Sequence, residues 1–555
     1  MQSVCPGVSS FREVREDHLF YADKTSFIGE FLKDTPPKVS LITRPRRFGK
    51  SLTMSMLAEF FDIRKDSRAI FSGLHVSEDR DLCAKWMNKW PVLAISFKEV
   101  RGETFRNALF QFGELAGQSC SENLFLLESP RAGAREKKRI ASIYDGTASE
   151  DETGTVLQTL CQALYQHYNE KVIVLVDEYD VPLAKAQEQG YYNKMYSFMQ
   201  SVLGGLLKDN TKLKFAILTG CLRMAQESSY TGLNNSTCYS ISDADFADKI
   251  GFTAKDVRKL LADTGLSHKE EEIRTWYDGY CFGRHNDMYC PWDLLQYVRK
   301  LQSEPESMPS PFWINSGSSN VVKICIGRTD YAVDDEIAAL LDGEVIEKEL
   351  NEQLTYDELE ASENNLWTLL YLTGYLTKAA DYEPAEQNAM PLRIPNREVH
   401  EIFARKIGEW FCDRVQGTDL RPLYDALWSS DAVAFAEILS SLLMDTMSYH
   451  DYKEVYYHAI LAGLLRAKYI VRSNYESGLG RSDLIVRDAT NKRCAVIEVK
   501  RSASPDSMEE DAGRAMLQIQ SQKYAAPLVS ESRTVIAWGM AFNRKSCVAV
   551  CRQEA

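Results

Sequence analysis

A Gly-Lys-Ser run near the N-terminus has the chemistry to bind phosphate. Gly49, Lys50 and Ser51 follow a short apolar run, Val39–Thr43, and precede the helical pattern LTMSMLAEFFDI. A strand, a loop and a helix in this order gather N–H groups at a helix N-terminus, where Lys50 would reach the outer phosphates and Ser51 would ligate Mg²⁺. The full phosphate-loop pattern has glycine where this chain has Arg44, so the run alone does not establish a nucleotide site.

Two acids at the end of a second apolar run complete the pattern. Val172–Val176 predicts a buried strand, and Asp177 and Glu178 follow it. A parallel sheet would place these carboxylates beside the phosphate loop, where Asp177 would hold the water shell of Mg²⁺ and Glu178 would polarise the attacking water. The alternative is that both acids cap the next helix. The joint occurrence of the two runs favours the nucleotide site, because chance rarely produces both.

A further set of acids lies near the C-terminus, beside a lysine. Asp483, Glu498 and Lys500 fall on two predicted strands in hairpin order. Strand alternation puts Glu498 and Lys500 on one face, with Asp483 available from the neighbouring strand. Two convergent carboxylates bind Mg²⁺, and an adjacent ammonium can activate a water and stabilise a pentavalent phosphate. The alternative is a surface ion pair on an exposed edge strand.

Other elements must position these residues. Pro91–Phe97 and Lys214–Gly220 are predicted strands of the same N-terminal sheet. Thr219 or Arg223, near the end of the second strand, has the chemistry to contact a γ-phosphate. For Arg223 a solvated loop cation is an equal alternative.

Three stretches carry no assigned chemistry. Residues 130–154, rich in charge and small side chains, are expected to form an exposed insertion or flexible loop. Aromatic residues between 276 and 282 are expected to pack as a core and not to stack on bases. A polar, Pro-rich stretch at 303–310 predicts a boundary before a helical middle region, in which residues 392–399 predict a strand that turns into a helix.

The N-terminal runs together resemble a known family. The stretches GVSSFREVREDHLFYADKTSFIGEFL, LITRPRRFGKSLTMSMLAEFFD, VIVLVDEYDVPL, LTGCLRMAQESSYTGLNN and WYDGYCFG are similar to the AAA-ATPase-like family of bacterial proteins, over roughly the first half of the chain. The RPRRFGKS form is usual in that family, so the absent glycine is a family trait. The run Asp23-Lys24-Thr25 resembles a family element near the nucleotide, although its own chemistry predicts only a helix start. The resemblance implies an AAA-like domain that binds and hydrolyses ATP.

The C-terminal residues resemble the PD-(D/E)XK nuclease superfamily. The resemblance is carried by the Asp483, Glu498 and Lys500 pattern, with Ser482 in place of the proline that often precedes the aspartate. Glu454, on a predicted helix, lies where many members supply a further metal-site acid. A later helix carries residues similar to the glutamine/tyrosine element of several branches: Gln518, Gln520 and Tyr524. The resemblance implies Mg²⁺-dependent DNA cleavage by an α/β domain.

The predicted fold class is α/β. We expect an N-terminal P-loop AAA-like parallel-sheet ATPase domain at 1–235, a helical lid or subdomain at 236–302, a helical connecting region at 303–449 and a C-terminal α/β PD-(D/E)XK nuclease-like domain at 450–555. Residues expected to contact ATP are Arg47, Gly49, Lys50, Ser51, Asp177 and Arg223. Residues expected to be catalytic are Glu178, Asp483, Glu498, Lys500 and Glu454. Residues expected to bind Mg²⁺ are Asp483, Glu498, Ser51 and Asp177.

Composition limits the choice of partner. The 555 residues include 65 Lys and Arg against 79 Asp and Glu, and the net charge of −14 excludes a basic nucleic-acid coat. Between residues 466 and 501, however, basic residues outnumber acids by nine to four, so we expect DNA contact in the C-terminal domain alone. Thirteen cysteines without a CxxC spacing indicate reduced thiols and no zinc site.

Two functions follow from these observations. The leading hypothesis is an ATP-hydrolysing protein with Mg²⁺-dependent DNA endonuclease or exonuclease activity, compatible with defence or DNA processing. The rival is an ATP-dependent regulatory switch whose nuclease-like domain binds DNA or protein without cleaving; the intact Asp483, Glu498 and Lys500 favour cleavage. AAA-type ATPases often use an arginine from a neighbouring subunit, so a homo-oligomer is compatible with the sequence. The sequence has neither a secretory signal nor an apolar run of about 18 residues, so a cytoplasmic location without a membrane segment is expected.

Overall fold

The computed structural model describes residues 2–222, 236–313, 331–359, 362–386, 388–446, 453–477, 480–529, 532 and 534–554, and every structural statement below concerns these residues. They fall into two units. The first comprises the described residues up to 313 together with 347–397, and the second comprises those within 314–346 and from 398 onward. The four domain ranges expected from the sequence stay predictions.

A parallel sheet of five strands forms the centre of the first unit. Its strands are β1 (Val39–Thr43), β2 (Val92–Ser96), β3 (Val172–Asp177), β4 (Leu213–Gly220) and β5 (Ser236–Tyr239), in the spatial order β2-β3-β4-β1-β5. All four pairings are parallel, so the carboxyl ends of the strands meet at one edge. Every residue of β1 and β3 is buried, as expected for apolar strands with both faces covered. The four strands predicted for this sheet are confirmed.

Helices surround this sheet and extend beyond it. They are Phe11–Glu16, Ser26–Leu32, Lys50–Phe61, Arg68–Phe71, Arg80–Trp86, Phe105–Ser121, Ala134–Tyr144, Glu150–Gly154, Val156–Tyr168, Val181–Glu188, Tyr192–Leu207, Ala254–Thr264, Glu270–Tyr277, Pro291–Ser303 and Glu363–Leu372. Two of them lie within 130–154, so the expected insertion or loop is wrong. Ile140 and Ile143 are buried in the core beside the sheet, while the charged residues Arg135–Arg139 of the same helix are partly or fully exposed.

Two small sheets follow along the chain. One contains β6 (Phe252–Thr253), β7 (Tyr280–Phe282) and β8 (His285–Tyr289) in the order β6-β8-β7; the other contains β9 (Ile346–Lys348), β10 (Thr377–Lys378) and β11 (Met390–Arg393) in the order β10-β11-β9. The aromatic side chains Trp276, Tyr277, Tyr280 and Phe282 are buried, which confirms the packed core. β11 leads into the helix Arg397–Arg414, as the pattern of residues 392–399 predicts.

A mixed sheet forms the centre of the second unit. Its strands are β12 (Ile470–Ser477), β13 (Gly480–Asp488), β14 (Arg493–Arg501), β15 (Thr534–Asn543) and β16 (Ser546–Gln553), in sequential order. β14 and β15 are parallel and the other pairs antiparallel. The helix Met508–Ser521 makes the crossover that a parallel pair requires. The β13–β14 hairpin expected to carry the C-terminal acids is confirmed.

The remaining helices belong to the second half of the chain. They are Tyr331–Leu341, Arg397–Arg414, Arg421–Ser429, Ala432–Thr446, Glu454–Arg466, Met508–Ser521 and Ala526–Val529. Among the described residues, none of the helices combines the length and apolar character needed to cross a bilayer.

Candidate functional sites

The phosphate loop connects β1 to the helix Lys50–Phe61. Gly49 ends the loop with a φ of 100°, a left-handed conformation that favours glycine, and the helix begins at the next residue. The N–H groups of a first helical turn have no intrahelical partners and attract anions. Lys50 is buried at this point, and its Nζ donates to the carbonyl oxygens of Arg44 and Pro45 at 3.0 and 2.9 Å. Loop carbonyls therefore hold the ammonium group where a phosphate would bind.

Asp177 joins the ends of three strands. The Ser51 hydroxyl, after β1, donates to its Oδ2 at 2.6 Å, and the Thr219 hydroxyl, on β4, donates to its Oδ1 at 2.6 Å. β3 lies beside β4, and β4 lies beside β1, so the carboxyl-end geometry of a parallel sheet brings these groups together. A hydroxyl and a carboxylate at one point are the oxygen ligands that Mg²⁺ takes in nucleotide sites, so the residues fit this ion.

Glu178 occupies a strained position beside Asp177. Its φ is 51°, a left-handed value that costs a non-glycine residue on the order of 1 kcal/mol. Burial first, and the charge of Asp177 second, raise the pKa of Glu178. A carboxylate with a raised pKa is a better proton acceptor for water than an ordinary one. The position and chemistry suit the expected role of polarising water.

Arg44 is an anchor of the loop and is completely buried. Its Nη1 donates to Thr43 O at 2.8 Å and Tyr239 O at 3.0 Å, and its Nη2 donates to Phe246 O at 2.9 Å. Burial lowers the pKa of Arg44 to about 10, so the guanidinium stays charged at neutral pH. The residue that replaces the usual glycine thus ties the end of β1 to the end of β5 and the turn beyond it.

The loop arginines have different surroundings. Arg47 lies with its guanidinium carbon 4.0 Å from the centroid of the Trp292 ring, in a cation–π contact. Arg46 instead lies near Cys221, the side chain that Lys50 also contacts. The sequence predicted Arg47 and not Arg46, because the RPRRFGKS string does not show which arginine faces the site. Arg223, the other expected contact, lies outside the described residues.

The Asp23-Lys24-Thr25 run makes structural contacts. Asp23 accepts hydrogen bonds from the backbone N–H groups of Thr25 and His75, and Lys24 pairs with Asp256 at 2.6 Å. These contacts fasten the N-terminal segment to two other parts of the unit. They use the side-chain groups that a direct ligand role would need.

The C-terminal acids lie where two strands separate. Backbone pairing between β13 and β14 reaches Leu484 and Ile497 and ends there. Beyond that pair, Asp483 Oδ2 accepts from the N–H of Val499 at 2.8 Å, and Glu498 Oε2 faces the N–H of Asp483 at 3.4 Å. Each carboxylate therefore reaches across to the other strand, and the two acids share one opening of the sheet.

Lys500 and Glu454 complete this group. Lys500 Nζ lies 3.1 Å from Glu498 Oε1 and 3.6 Å from Glu454 Oε1. Glu454 begins the helix Glu454–Arg466, and its Oε2 accepts from the N–H of Arg501 at 3.3 Å. All four residues expected from the sequence are thus brought together: Asp483, Glu498, Lys500 and Glu454.

The charged groups at this opening shift the pKa values of one another. Burial first, and the nearby Asp483 charge second, raise the pKa of Glu498 to about 7. Burial alone would lower the pKa of Lys500, but Glu454 and Glu498 outweigh it and raise that pKa. A divalent cation would offset the repulsion between the two acids, and Mg²⁺ commonly takes only one or two carboxylates, with water and phosphate completing its shell. Within the described ranges, no three His, Cys, Asp or Glu side chains are placed to hold a metal together.

His458 hydrogen-bonds to the backbone of β13 at the same opening. It is buried on the helix Glu454–Arg466, and its Nε2 lies 2.9 Å from the carbonyl oxygen of Asp483. Burial lowers the pKa of His458, which favours the neutral ring with Nε2–H as donor. Tyr524, of the glutamine/tyrosine element, packs in the apolar core with Ile485 and Val496.

Comparisons with known proteins find a match for each end of the chain. Residues 6–230 match the family model described as predicted AAA-ATPase, and residues 452–551 match the PD-(D/E)XK nuclease superfamily model. A protein encoded in the vnfD 5′ region of Azotobacter chroococcum mcd 1 is 26% identical over 396 residues, which cover 71% of this chain and 67% of that protein. The Aeropyrum pernix ORC2 structure, solved with ADPNP and ADP, is 12% identical over 73% of this chain and 96% of that one. Its TM-score of 0.21 is too low to carry an argument.

Proposed function

We propose that this chain, which carries an AAA-ATPase-like domain and a PD-(D/E)XK nuclease superfamily domain, hydrolyses ATP and cleaves DNA in an Mg²⁺-dependent reaction. The observation that carries the proposal is the convergence of Asp483, Glu498 and Lys500 where β13 and β14 separate. A degenerate domain that only binds would have no need to bury Glu498 beside a second acid, at a cost in free energy.

Each residue of the proposed cleavage site would have a separate role in the reaction. Bound Mg²⁺ would supply charge to neutralise the scissile phosphate and to acidify water. Asp483 and Glu498 would hold the ion, each by a carboxylate already oriented by a backbone N–H. Lys500 would orient the attacking water and stabilise the pentavalent phosphate, with Glu454 keeping the ammonium in place. Water would add to phosphorus as the P–O bond to the leaving strand breaks.

Charge near this site supports a DNA substrate. Exposed basic side chains lie on the strands that carry the site residues and on the strand beside them: Arg472 on β12, Arg481 on β13 and Arg501 on β14. Neutralisation of several phosphates by such residues would make binding weaken steeply as salt increases. We include in the proposal a cytoplasmic location and a biological role in defence or DNA processing.

The proposed ATP site uses the groups at the carboxyl ends of β1, β3 and β4. Lys50 would bind the outer phosphates, Ser51 and Asp177 would hold Mg²⁺, and Glu178 would polarise the attacking water. Replacing Lys50 with Ala should abolish ATP binding, whereas Glu178→Gln should leave binding intact and abolish hydrolysis. Fluorescent-nucleotide titration and phosphate release distinguish the two variants. Equal hydrolysis by wild type and Glu178→Gln would contradict the assignment of Glu178.

A nuclease assay tests the cleavage proposal. Supercoiled plasmid and single-stranded, duplex and branched DNA are incubated with the protein and Mg²⁺ or Mn²⁺, with and without ATP. Asp483→Asn and Lys500→Met should lower cleavage at least a hundredfold, a loss typical of a catalytic group. Lys492→Met, which removes an exposed lysine of the same hairpin, is the control and should cleave normally. Cleavage by both site variants at the wild-type rate would refute the assignment; DNA binding without cleavage by wild type would establish the regulatory alternative.

A further inference from the structure

Asp180 is a buried acid of the ATPase-like unit that has no part in the proposed chemistry. It directly precedes the helix Val181–Glu188 and is 2% exposed. Its Oδ2 accepts three hydrogen bonds, from the N–H groups of Cys221 (2.9 Å) and Leu222 (3.2 Å) and from the Tyr356 hydroxyl (2.9 Å). Two of these donors belong to the backbone that leaves β4, so Asp180 fixes the path of that backbone.

The backbone leaving β4 passes close to Asp180 from its first residue. A side chain at Gly220 would place its Cβ 2.7 Å from Asp180 Oδ1 and 2.6 Å from the Tyr179 ring, so only glycine fits. Tyr179 adds a hydrogen bond from its hydroxyl to the carbonyl oxygen of Leu222. The turn after β3 and the turn after β4 thus pack against each other and are joined by hydrogen bonds.

These two turns contact the phosphate loop through Cys221. Lys50 Nζ lies 3.7 Å from Cys221 Sγ. Burial alone would lower the pKa of Arg46, but its surroundings, the Asp180 charge among them, outweigh burial and raise that pKa. A second cation of the phosphate loop thus lies near the Asp180 group.

Tyr356 comes from a distant part of the chain. It follows β9 and precedes the helix Glu363–Leu372, beyond the range 6–230 that matches the ATPase family model. Burial first, and the Asp180 charge second, raise the pKa of Tyr356, so its hydroxyl keeps the proton that it donates. The hydrogen bond joins a neutral donor to a buried carboxylate, a type that is stronger than one between neutral groups.

We propose that Tyr356 is a positioning residue for nucleoside triphosphate hydrolysis. Its hydroxyl holds Asp180, and Asp180 holds the backbone of Cys221, whose Sγ lies 3.7 Å from the ammonium group of Lys50 in the phosphate loop. Charge builds on the outermost phosphate as its bond to the rest of the nucleotide breaks, and a cation fixed beforehand stabilises that charge most in the transition state. This inference rests on the proposed ATP hydrolysis and adds a residue outside the family match to that site.

The test is a kinetic comparison of two tyrosine variants of the full chain. Tyr356→Phe keeps the ring and removes the hydroxyl; it should lower kcat for ATP about tenfold and change KM less than about twofold, since one charge-assisted hydrogen bond is lost. Tyr382→Phe is the matched control: its hydroxyl also donates to a carboxylate, Glu347 Oε1, at 3.0 Å, but on the surface. That variant should hydrolyse ATP at the wild-type rate.

A double variant distinguishes a positioning role of Tyr356 from a general loosening of the structure. If Tyr356 acts through Asp180, Asp180→Asn and Tyr356→Phe together should lower kcat by much less than the product of their separate effects. A wild-type kcat in Tyr356→Phe, a KM effect without a kcat effect, or multiplicative losses in the double variant would overturn the inference. Absence of both ATP binding and hydrolysis in wild type would instead overturn the proposed function, and this inference with it.

Discussion

Restoring the missing glycine of the phosphate loop should damage this protein. Arg44→Gly would remove a guanidinium that donates to three backbone carbonyl oxygens, of Thr43, Tyr239 and Phe246. Each buried carbonyl left unpaired costs about 1–3 kcal/mol. Recovery of the cost of burying the charge offsets part of this sum, so we expect a net loss of about 3–5 kcal/mol in the free energy of unfolding.

Scanning calorimetry of the full chain measures the effect. At this size, 1 kcal/mol corresponds to about 2 °C, so the transition of the first unit should fall by about 6–10 °C. Arg44→Lys keeps one charged donor in the same space and should lose about half as much. The second transition, from the unit that contains β12 to β16, serves as an internal reference and should not move.

Arg46→Gly is the control for the loop itself. This side chain is only half-buried and belongs to the proposed hydrolysis site, so the variant should melt within about 2 °C of wild type and hydrolyse ATP slowly. Arg44→Gly protein that melts at the wild-type temperature and binds ATP normally would refute the reasoning. The arginine would then be a tolerated substitute for glycine, with no role as an anchor.

Three further predictions concern acids with unusual surroundings. Burial and Asp483 raise the pKa of Glu498 to about 7, so the charge of Glu498 lowers the stability of the metal-free protein above pH 7 and not below about pH 4.5. Glu498→Gln should therefore raise the free energy of unfolding by about 1–3 kcal/mol, measured by urea unfolding at pH 8. The same variant should abolish cleavage. Burial alone would raise the pKa of Asp488, but hydrogen bonds from Asn491 and Arg493 lower it to about 2. Asp488→Asn should therefore cost about 1–2 kcal/mol at pH 7, and the difference should vanish as pH falls from 4 to 2. Glu178→Gly should relieve left-handed strain, raising stability by about 1 kcal/mol while ATP hydrolysis is lost, measured by calorimetry and phosphate release.

Local pattern was sufficient for β1 to β4 and for the β13–β14 hairpin. Mainly apolar runs predicted β1 and β3, because strands buried on both faces carry few polar residues. Alternation placed Glu498 and Lys500 on one side of β14, where they lie 3.1 Å apart. In each case the information lies within a few neighbouring residues.

Features that depend on distant partners were not predictable. The anchoring role of Arg44 requires carbonyl oxygens about 200 residues away, and nothing near Arg44 indicates them. Arg47 has a left-handed φ of 68° and lies against Trp292, a partner about 245 residues away that the loop sequence does not indicate. Residues 130–154 were misread because high charge indicates exposure, which a helix satisfies on one face while burying Ile140 and Ile143 on the other.

The separation of β13 and β14 also creates a natural reporter. The amide proton of Val499 is bonded to a carboxylate of Asp483 and not to a backbone carbonyl, so its rate of exchange with solvent deuterium depends on one side chain. Asp483→Ala should release this proton and loosen β14 at Glu498 and Lys500, whereas Asp483→Asn retains an acceptor. Exchange at Val499 can therefore show whether an inactive variant lost its chemistry or its geometry, and whether Mg²⁺ has reached Asp483, without any DNA being cut.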